Sequence, residues 1–166
     1  ISRTGYTGSF GYELFMPNEG APAVWRALLE IGVEPCGLGS RDTLRTEAAL
    51  PLYGHEISEI IDPIAAGLDF AVKMDKADFI GKSGLIKRGT PSKKRVGVKV
   101  IGRGVIREQQ DIYDGETLIG FVSSGTFMAW LNASAGMAFI DTEKAEIGNK
   151  FEVDVRGRRV PVEIVP

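Results

Sequence analysis

The feature of the sequence that most constrains its fold is the period-two alternation of the second half. Valine recurs at every second position from residue 96 to residue 100, which is typical of a strand with one buried face. Asp114-Gly115 stands between two extended runs and the segment 156–159 between two others, so both positions predict hairpins. Short strands joined by tight turns predict a small antiparallel β-barrel domain over residues 91–166.

Residues 1–90 mix helical and extended patterns and predict a separate mixed α/β layer, so the fold class expected for the whole chain is α+β. One helix is predicted over residues 23–31, where apolar residues recur at helical spacing. A second helix is predicted from a cap at Ser40 to a stop before Pro51. The remaining expected elements are strands over 12–16 and 68–72 and a short helix from a cap at Ser83 to Lys87.

Composition excludes several classes of protein. The net charge of −2 over 166 residues gives no indication of nucleic acid or an anionic membrane surface. No apolar run approaches the roughly 18 residues that a membrane-spanning helix needs. Cys36 is the only cysteine, which excludes an internal disulfide and predicts a reducing, cytoplasmic setting.

The motifs of three common chemistries are missing. His55 is the only histidine, so the paired histidines of a helical zinc site are absent, no metal is expected, and we interpret His55 as part of a polar turn. The sequence has neither a Gly-x-Ser-x-Gly elbow nor a Cys-x-x-Cys pair, so acyl transfer and thiol redox chemistry have no support.

A glycine-rich loop opens the chain, with glycines at positions 5, 8 and 11. A dinucleotide-binding loop lies between a strand and a helix, because the pyrophosphate sits on the helix N-terminus. Here the glycines precede an extended run, so we reject that interpretation. The loop is instead expected to let its backbone approach a flat ligand closely.

Glu13 and Arg41 form the most informative pair of charged residues. An arginine in the first turn of a helix meets the positive end of the helix dipole, so we expect an acidic group near Arg41. One interpretation is a structural ion pair with Glu13. The other is recognition of a planar heterocycle, in which the carboxylate accepts two parallel N–H bonds from an edge such as that of a pterin. Arg41 would then donate hydrogen bonds to the ring carbonyl, and the aromatic ring of Tyr6 would pack against the heterocycle.

Two long motifs carry a family resemblance. They are Arg3-Thr-Gly-Tyr-Thr-Gly-x-x-Gly-Tyr-Glu13 and the segment 37–56, Gly-Leu-Gly-Ser-Arg-Asp-Thr-Leu-Arg-Thr-Glu-Ala-Ala-Leu-Pro-Leu-Tyr-Gly-His-Glu, with further matches at 63–68, 79–82 and 122–126. Together they resemble the T-proteins of the glycine cleavage system, which are aminomethyltransferases of glycine catabolism and one-carbon metabolism. The resemblance implies tetrahydrofolate bound in the middle of a three-domain cloverleaf. It also implies a lipoylated H-protein as partner. In that reaction the aminomethyl group passes from the lipoyl arm of the H-protein to tetrahydrofolate, which becomes 5,10-methylene-tetrahydrofolate. Ammonia and the dihydrolipoyl arm are released.

The same resemblance assigns tetrahydrofolate binding to five residues. Glu13 matches the family's pterin-binding glutamate, Arg41 its arginine partner and Tyr6 a tyrosine that contacts the ring. Phe70 stands where the family often has a tryptophan. Arg107 matches a barrel arginine near the site, whose role here is either binding or holding domains together.

The sequence also departs from the family pattern. The family's catalytic aspartate lies in an N-terminal region outside these residues, so no catalytic residue is assigned and the chain is expected to be inactive alone. It would correspond to the C-terminal half to two-thirds of a T-protein. The barrel segment that usually runs Ser-Gly-x-x-Ser-Pro is here Ser124-Gly-Thr-Phe-Met-Ala129, and a late family tyrosine would fall beyond Pro166.

Alternatives remain open beside this interpretation. One is a folate-dependent demethylase module of the sarcosine or dimethylglycine type. Another is a non-catalytic folate-binding or assembly module whose basic segment 82–95 docks an acidic tail or partner; the other interpretation of that segment is a solvated connector between domains. The tRNA-modification helper proteins of the same superfamily carry Lys-Gly-Cys-Tyr-x-Gly, which this sequence lacks.

Overall fold

A computed structural model describes all 166 residues. The chain forms two compact units, Ile1–Leu50 and Pro51–Pro166, which we call the first and the second unit. The predicted domain boundary after residue 90 stays a prediction. None of the helices combines the length and the apolar character that crossing a bilayer requires.

The first unit contains two helices, α1 (Ala21–Glu30) and α2 (Leu38–Glu47). Pro22 stands at the start of α1, where its fixed φ suits a helix and its missing N–H is no loss. The helix ends in a Schellman motif: Gly32 has φ 87°, its N–H bonds to the Leu29 carbonyl, and the Val33 N–H bonds to the Leu28 carbonyl. The helix predicted over 23–31 is therefore confirmed.

The predicted cap of α2 is wrong. Gly37 is the N-cap residue and Ser40 lies inside the first turn, with no side chain bonding the free N–H groups. Gly37 adopts the extended backbone that an N-cap needs, so the helix begins before the serine is reached. The end of α2 before Pro51 is confirmed.

Both strands predicted outside the barrel are also wrong. Residues 12–16 contribute one isolated bridge, between Ser2 and Glu13, which exchange two backbone hydrogen bonds instead of forming a ladder. The predicted strand 68–72 is a 3₁₀ turn, Asp69–Ala71, held by bonds from Ala71 N–H to Leu68 and from Val72 N–H to Asp69. Alternation over five residues does not specify a strand that lacks a partner.

The second unit carries α3 (Lys82–Arg88) and six strands. The cap of α3 is Gly81, not the predicted Ser83. The strands are β1 (Lys93–Val100), β2 (Asp111–Asp114), β3 (Thr117–Met128), β4 (Ala133–Asp141), β5 (Lys150–Val155) and β6 (Arg158–Val165). They close into an antiparallel barrel in the order β1-β4-β3-β2-β5-β6, which confirms the predicted barrel and the α+β class.

The barrel interior is the hydrophobic core of the second unit. Inward-facing residues from alternate positions of the strands fill it, as in other barrels of small strand number. The fully buried members are Val98, Ile112, Ile119, Val122, Ala138, Ile140, Val153, Val162, Ile164 and, before β2, Ile106.

Both predicted hairpins are present, and their loops differ. Gly115 and Glu116 join β2 to β3, and Gly115 has the positive φ (57°) that a type II′ turn needs at its first central residue. Arg156 and Gly157 join β5 to β6, and both have positive φ, 56° and 82°, as a type I′ turn requires.

Arg156→Asn is expected to stabilise the barrel by about 0.5–1 kcal/mol. Arginine pays a steric cost in the left-handed region that asparagine largely avoids. The melting temperature followed by circular dichroism should rise by about 2 °C. Arg103→Asn, in an exposed loop without positive φ, is the matched control and should leave the melting temperature unchanged. A lower melting temperature for Arg156→Asn would contradict the turn assignment.

Candidate functional site

The glycine loop of the first unit lies against the end of α2. A Cβ added at Gly8 would stand 2.5 Å from the Cβ of Ala48, and Gly8 has φ 75°, so this approach requires glycine. Tyr6 precedes Gly8 by two residues, and the Arg41 guanidinium carbon lies 4.2 Å from the Tyr6 ring centroid. The close backbone approach expected for this loop is thus made to a helix, and it accompanies a cation–π stack of Arg41 on Tyr6.

Glu13 is held at its backbone and at one carboxylate oxygen. Ser2 and Glu13 exchange two backbone N–H···O bonds of 2.9 Å. The Thr4 hydroxyl donates to Glu13 Oε2 and lies 2.9 Å from the Ser2 hydroxyl oxygen. The side chain is exposed, and Oε1 accepts no bond from the protein. This carboxylate is oriented and still has acceptor sites directed to a ligand or to water.

Arg41 forms no ion pair, so the expectation of an acidic partner next to it is wrong, and so is the interpretation of Glu13 and Arg41 as a structural ion pair. The Arg41 guanidinium contacts the face of the Tyr6 ring instead of a carboxylate. The ion pair of α2 belongs to Arg45, which is almost fully buried and reaches Asp42 Oδ1 with Nε at 2.7 Å and a terminal nitrogen at 2.6 Å. The i, i+3 spacing was the signal that could have identified this pair.

Phe70 and Arg107, the other two predicted folate residues, belong to the second unit. Phe70 lies on the 3₁₀ turn, and its side chain is exposed. Arg107 donates to the Gly125 carbonyl at 3.2 Å and to the Thr126 hydroxyl at 2.9 Å. The arginine therefore ties its loop to β3. Its predicted role toward folate stays a prediction, as does that of Phe70.

Sequence reasoning missed a buried carboxylate in the second unit. Glu56 is fully buried and accepts hydrogen bonds from the Ser124 hydroxyl at 2.6 Å and from the Leu52 N–H at 3.0 Å. Burial lowers the pKa of Arg95, and the negative charge of Glu56 opposes that shift. No local pattern points to this cluster, because Ser124 lies 68 residues from Glu56.

His55 lies in a turn, as interpreted from the sequence. Its Nδ1 stands 3.0 Å from Glu108 Oε2 and 3.1 Å from the Ser123 carbonyl oxygen. No group of three or more His, Cys, Asp or Glu side chains is arranged to hold a metal ion. The imidazole therefore links its turn to the loop before β2.

The basic segment 82–95 lies mostly in regular secondary structure. Its residues form α3 and the beginning of β1, so only the short stretch between them is irregular. Arg88 lies 3.5 Å from Asp62 Oδ2, and Lys93 pairs with Asp141. Part of the positive charge that would bind an acidic partner is therefore already paired with carboxylates of the second unit.

Comparisons with known proteins point to one family. Residues 1–76 match the family model described as GCVT N-terminal domain, and residues 93–166 match the glycine cleavage T-protein C-terminal barrel domain. An aminomethyltransferase of Listeria monocytogenes serotype 4b (strain CLIP80459) is 49% identical over 169 residues, covering 100% of this chain and 47% of the relative. One from Bacillus mycoides (strain KBAB4) is 48% identical over 173 residues, with the same coverage.

A solved structure agrees with these matches. The crystal structure of glycine cleavage system aminomethyltransferase T from Bartonella henselae superposes with a TM-score of 0.92 at 34% identity. The superposition covers 98% of this chain and 47% of that protein. The chain thus spans about half the length of the relatives it matches, and the resemblance inferred from the two motifs is confirmed.

Proposed function

The chain belongs to the glycine cleavage T-protein family, and from that premise we propose that it supplies part of the tetrahydrofolate site of an aminomethyltransferase. The complete enzyme would take the aminomethyl group from the lipoyl arm of the H-protein. Its products would be 5,10-methylene-tetrahydrofolate, ammonia and the dihydrolipoyl arm. The partners of this function are folate as co-substrate and a lipoylated H-protein.

The observation that carries the proposal is the state of Glu13. An exposed carboxylate with one oxygen held by Thr4 and its backbone held by Ser2 keeps a defined direction without being neutralised. A carboxylate accepts two parallel N–H bonds from the 2-amino and N3–H edge of a pterin. Such charge-assisted bonds are shorter and stronger than neutral ones.

Arg41 and Tyr6 support the same proposal. The guanidinium rests on the Tyr6 ring, and its N–H groups make no hydrogen bond within the protein, so they are available to a ring carbonyl. A stacked guanidinium is also planar and restrained, which lowers the entropy lost when it binds. Both residues come from the first unit, as Glu13 does.

These residues bind and orient folate but supply no proton transfer at the reacting carbon. The family resemblance attributes catalysis to an aspartate that lies outside the matched residues. We therefore expect the 166-residue chain to bind tetrahydrofolate weakly and to show no turnover with aminomethylated H-protein.

Glu13→Gln is expected to weaken tetrahydrofolate binding by about 30-fold, which corresponds to roughly 2 kcal/mol. The amide replaces one acceptor oxygen by a donor and removes the negative charge, so one of the two pterin N–H groups faces another donor. Titration of the chain with tetrahydrofolate, followed by ligand-observed NMR to millimolar concentration, measures the change.

Glu19→Gln is the matched control, because it makes the same substitution at another exposed carboxylate of the first unit. Its affinity should equal that of the unchanged chain. Equal affinities for Glu13→Gln and Glu19→Gln would refute the assignment of Glu13 to the pterin. Absence of binding at millimolar tetrahydrofolate would refute folate binding by this chain.

A further inference from the structure

Two hydroxyl side chains and the Glu13 carboxylate form a chain of hydrogen bonds in the first unit. The Thr4 hydroxyl donates to Glu13 Oε2, and the hydroxyl oxygens of Thr4 and Ser2 are 2.9 Å apart. A hydroxyl has one hydrogen to donate, and an ionised carboxylate only accepts. Because the hydrogen of Thr4 goes to Glu13, the Ser2 hydroxyl is the donor in the bond to Thr4. The order of donation is therefore from Ser2 to Thr4 to Glu13.

The backbone joins the ends of this chain independently of the hydroxyls. Ser2 and Glu13 exchange two N–H···O bonds of 2.9 Å in an isolated bridge. The side chains of Ser2 and Thr4 make no other hydrogen bond. Since the two backbone bonds already hold the segments together, the hydroxyls act on the part that is still free to move, which is the Glu13 side chain.

Without Thr4, the Glu13 side chain would rotate freely. It is exposed, and Thr4 is the only side chain that bonds to it. Immobilising a long side chain when a ligand binds lowers the affinity by about 3- to 10-fold, because its rotamer freedom is lost at that moment. A carboxylate that is already oriented in the free protein avoids this loss.

We propose that Thr4 and Ser2 are positioning residues for Glu13, which orient its carboxylate before the ligand arrives. The inference rests on the proposed binding of the pterin by Glu13. Thr4 uses one acceptor site on Oε2, and Oε1 accepts no bond from the protein. Each oxygen thus keeps a site for one of two parallel N–H donors. Thr4 restrains the rotation of the carboxylate that would misalign this pair of sites.

The bond that Thr4 makes differs from those of the threonine hydroxyls in α2. Thr43 donates to the Gly39 carbonyl at 3.0 Å and Thr46 to the Asp42 carbonyl at 2.7 Å, and both are local bonds within the helix. Thr4 instead donates to a side-chain carboxylate nine residues along the chain. A hydrogen bond to a charged acceptor is stronger than one to a neutral carbonyl, so it can hold a side chain in one rotamer.

Thr4→Val is expected to weaken tetrahydrofolate binding by about 3- to 10-fold, because valine keeps the branched shape and removes the hydroxyl. Ser2→Ala should weaken binding by less than about threefold, since the bond from Thr4 to Glu13 remains and loses only its polarisation by Ser2. Thr4→Ser should bind like the unchanged chain. Thr43→Val is the matched control and should also leave the affinity unchanged. Ligand-observed NMR titration of the 166-residue chain measures all four variants.

A second measurement separates positioning from a general loss of structure. In the ligand-free chain labelled with ¹³C, scalar couplings of the Glu13 side chain should show one dominant rotamer, and Thr4→Ser should keep it. Thr4→Val should show averaging between rotamers. The amide chemical shifts of Ser2 and Glu13 should stay nearly the same in every variant, because the backbone bridge does not use the Thr4 hydroxyl.

Each result bears on the proposal in a defined way. A Glu13 side chain that is averaged in the unchanged chain, or that keeps one rotamer in Thr4→Val, would overturn it. So would equal tetrahydrofolate affinities for Thr4→Val and Thr43→Val. Absence of tetrahydrofolate binding by the unchanged chain would refute the proposed function, whereas the rotamers of Glu13 would still decide whether Thr4 orients the carboxylate.

Discussion

Gly136→Ala is expected to destabilise the barrel by about 3 kcal/mol or more. A Cβ at this position of β4 would stand 2.0 Å from the Ser124 carbonyl oxygen and 2.7 Å from the Gly125 Cα. Both atoms belong to the backbone of the paired strand β3, so no side chain can rotate away. The strands must separate locally, and the hydrogen bonds between them are then lengthened or lost.

Gly84→Ala is the matched control, because it makes the same substitution in α3, where no neighbouring atom lies within 4 Å of the added Cβ. It should raise stability by up to about 1 kcal/mol, since alanine favours a helix interior over glycine. Urea unfolding followed by circular dichroism, with hydrogen exchange of the barrel amides, measures both variants. If Gly136→Ala unfolds at the urea concentration of the unchanged chain, the close approach of β3 and β4 is incorrect.

Glu56→Ala is expected to cost about 3 kcal/mol of stability. The substitution removes the carboxylate that accepts hydrogen bonds from the Ser124 hydroxyl and the Leu52 N–H, and each hydrogen bond to a charged group contributes about 1.5–3 kcal/mol. It also removes the negative charge that offsets the burial of Arg95. Removing one member of a buried charged cluster is strongly destabilising, because the charge left behind has lost its compensation.

Glu56→Gln and Glu59→Ala separate hydrogen bonding from charge. Glutamine keeps one acceptor oxygen and the side-chain volume, so Glu56→Gln should lower the free energy of unfolding less than Glu56→Ala does. Glu59 is exposed, and its substitution by alanine should change stability by less than about 0.5 kcal/mol. Thermal and urea unfolding should therefore rank the variants in the order Glu56→Ala, Glu56→Gln, Glu59→Ala. Equal losses for Glu56→Ala and Glu59→Ala would contradict a buried role for Glu56.

The features that the sequence alone determined depend on neighbours along the chain. The barrel followed from side-chain alternation, and its hairpins followed from glycines at 115 and 157, because positive φ restricts the residue type at a turn. Helix α1 followed from apolar spacing and ended at Gly32, which also provides a left-handed cap. The family followed from long motifs that are themselves contiguous.

The tertiary structure decided which distant groups meet. It placed Arg41 on the Tyr6 ring instead of beside an acid, it tied Glu13 to Ser2 and Thr4, and it reduced the expected strand around Glu13 to one bridge. It also brought Ser124 to Glu56 across 68 residues of chain. Periodicity and turn chemistry act over a few residues, whereas these contacts arise only when the loops close and the strands select their partners.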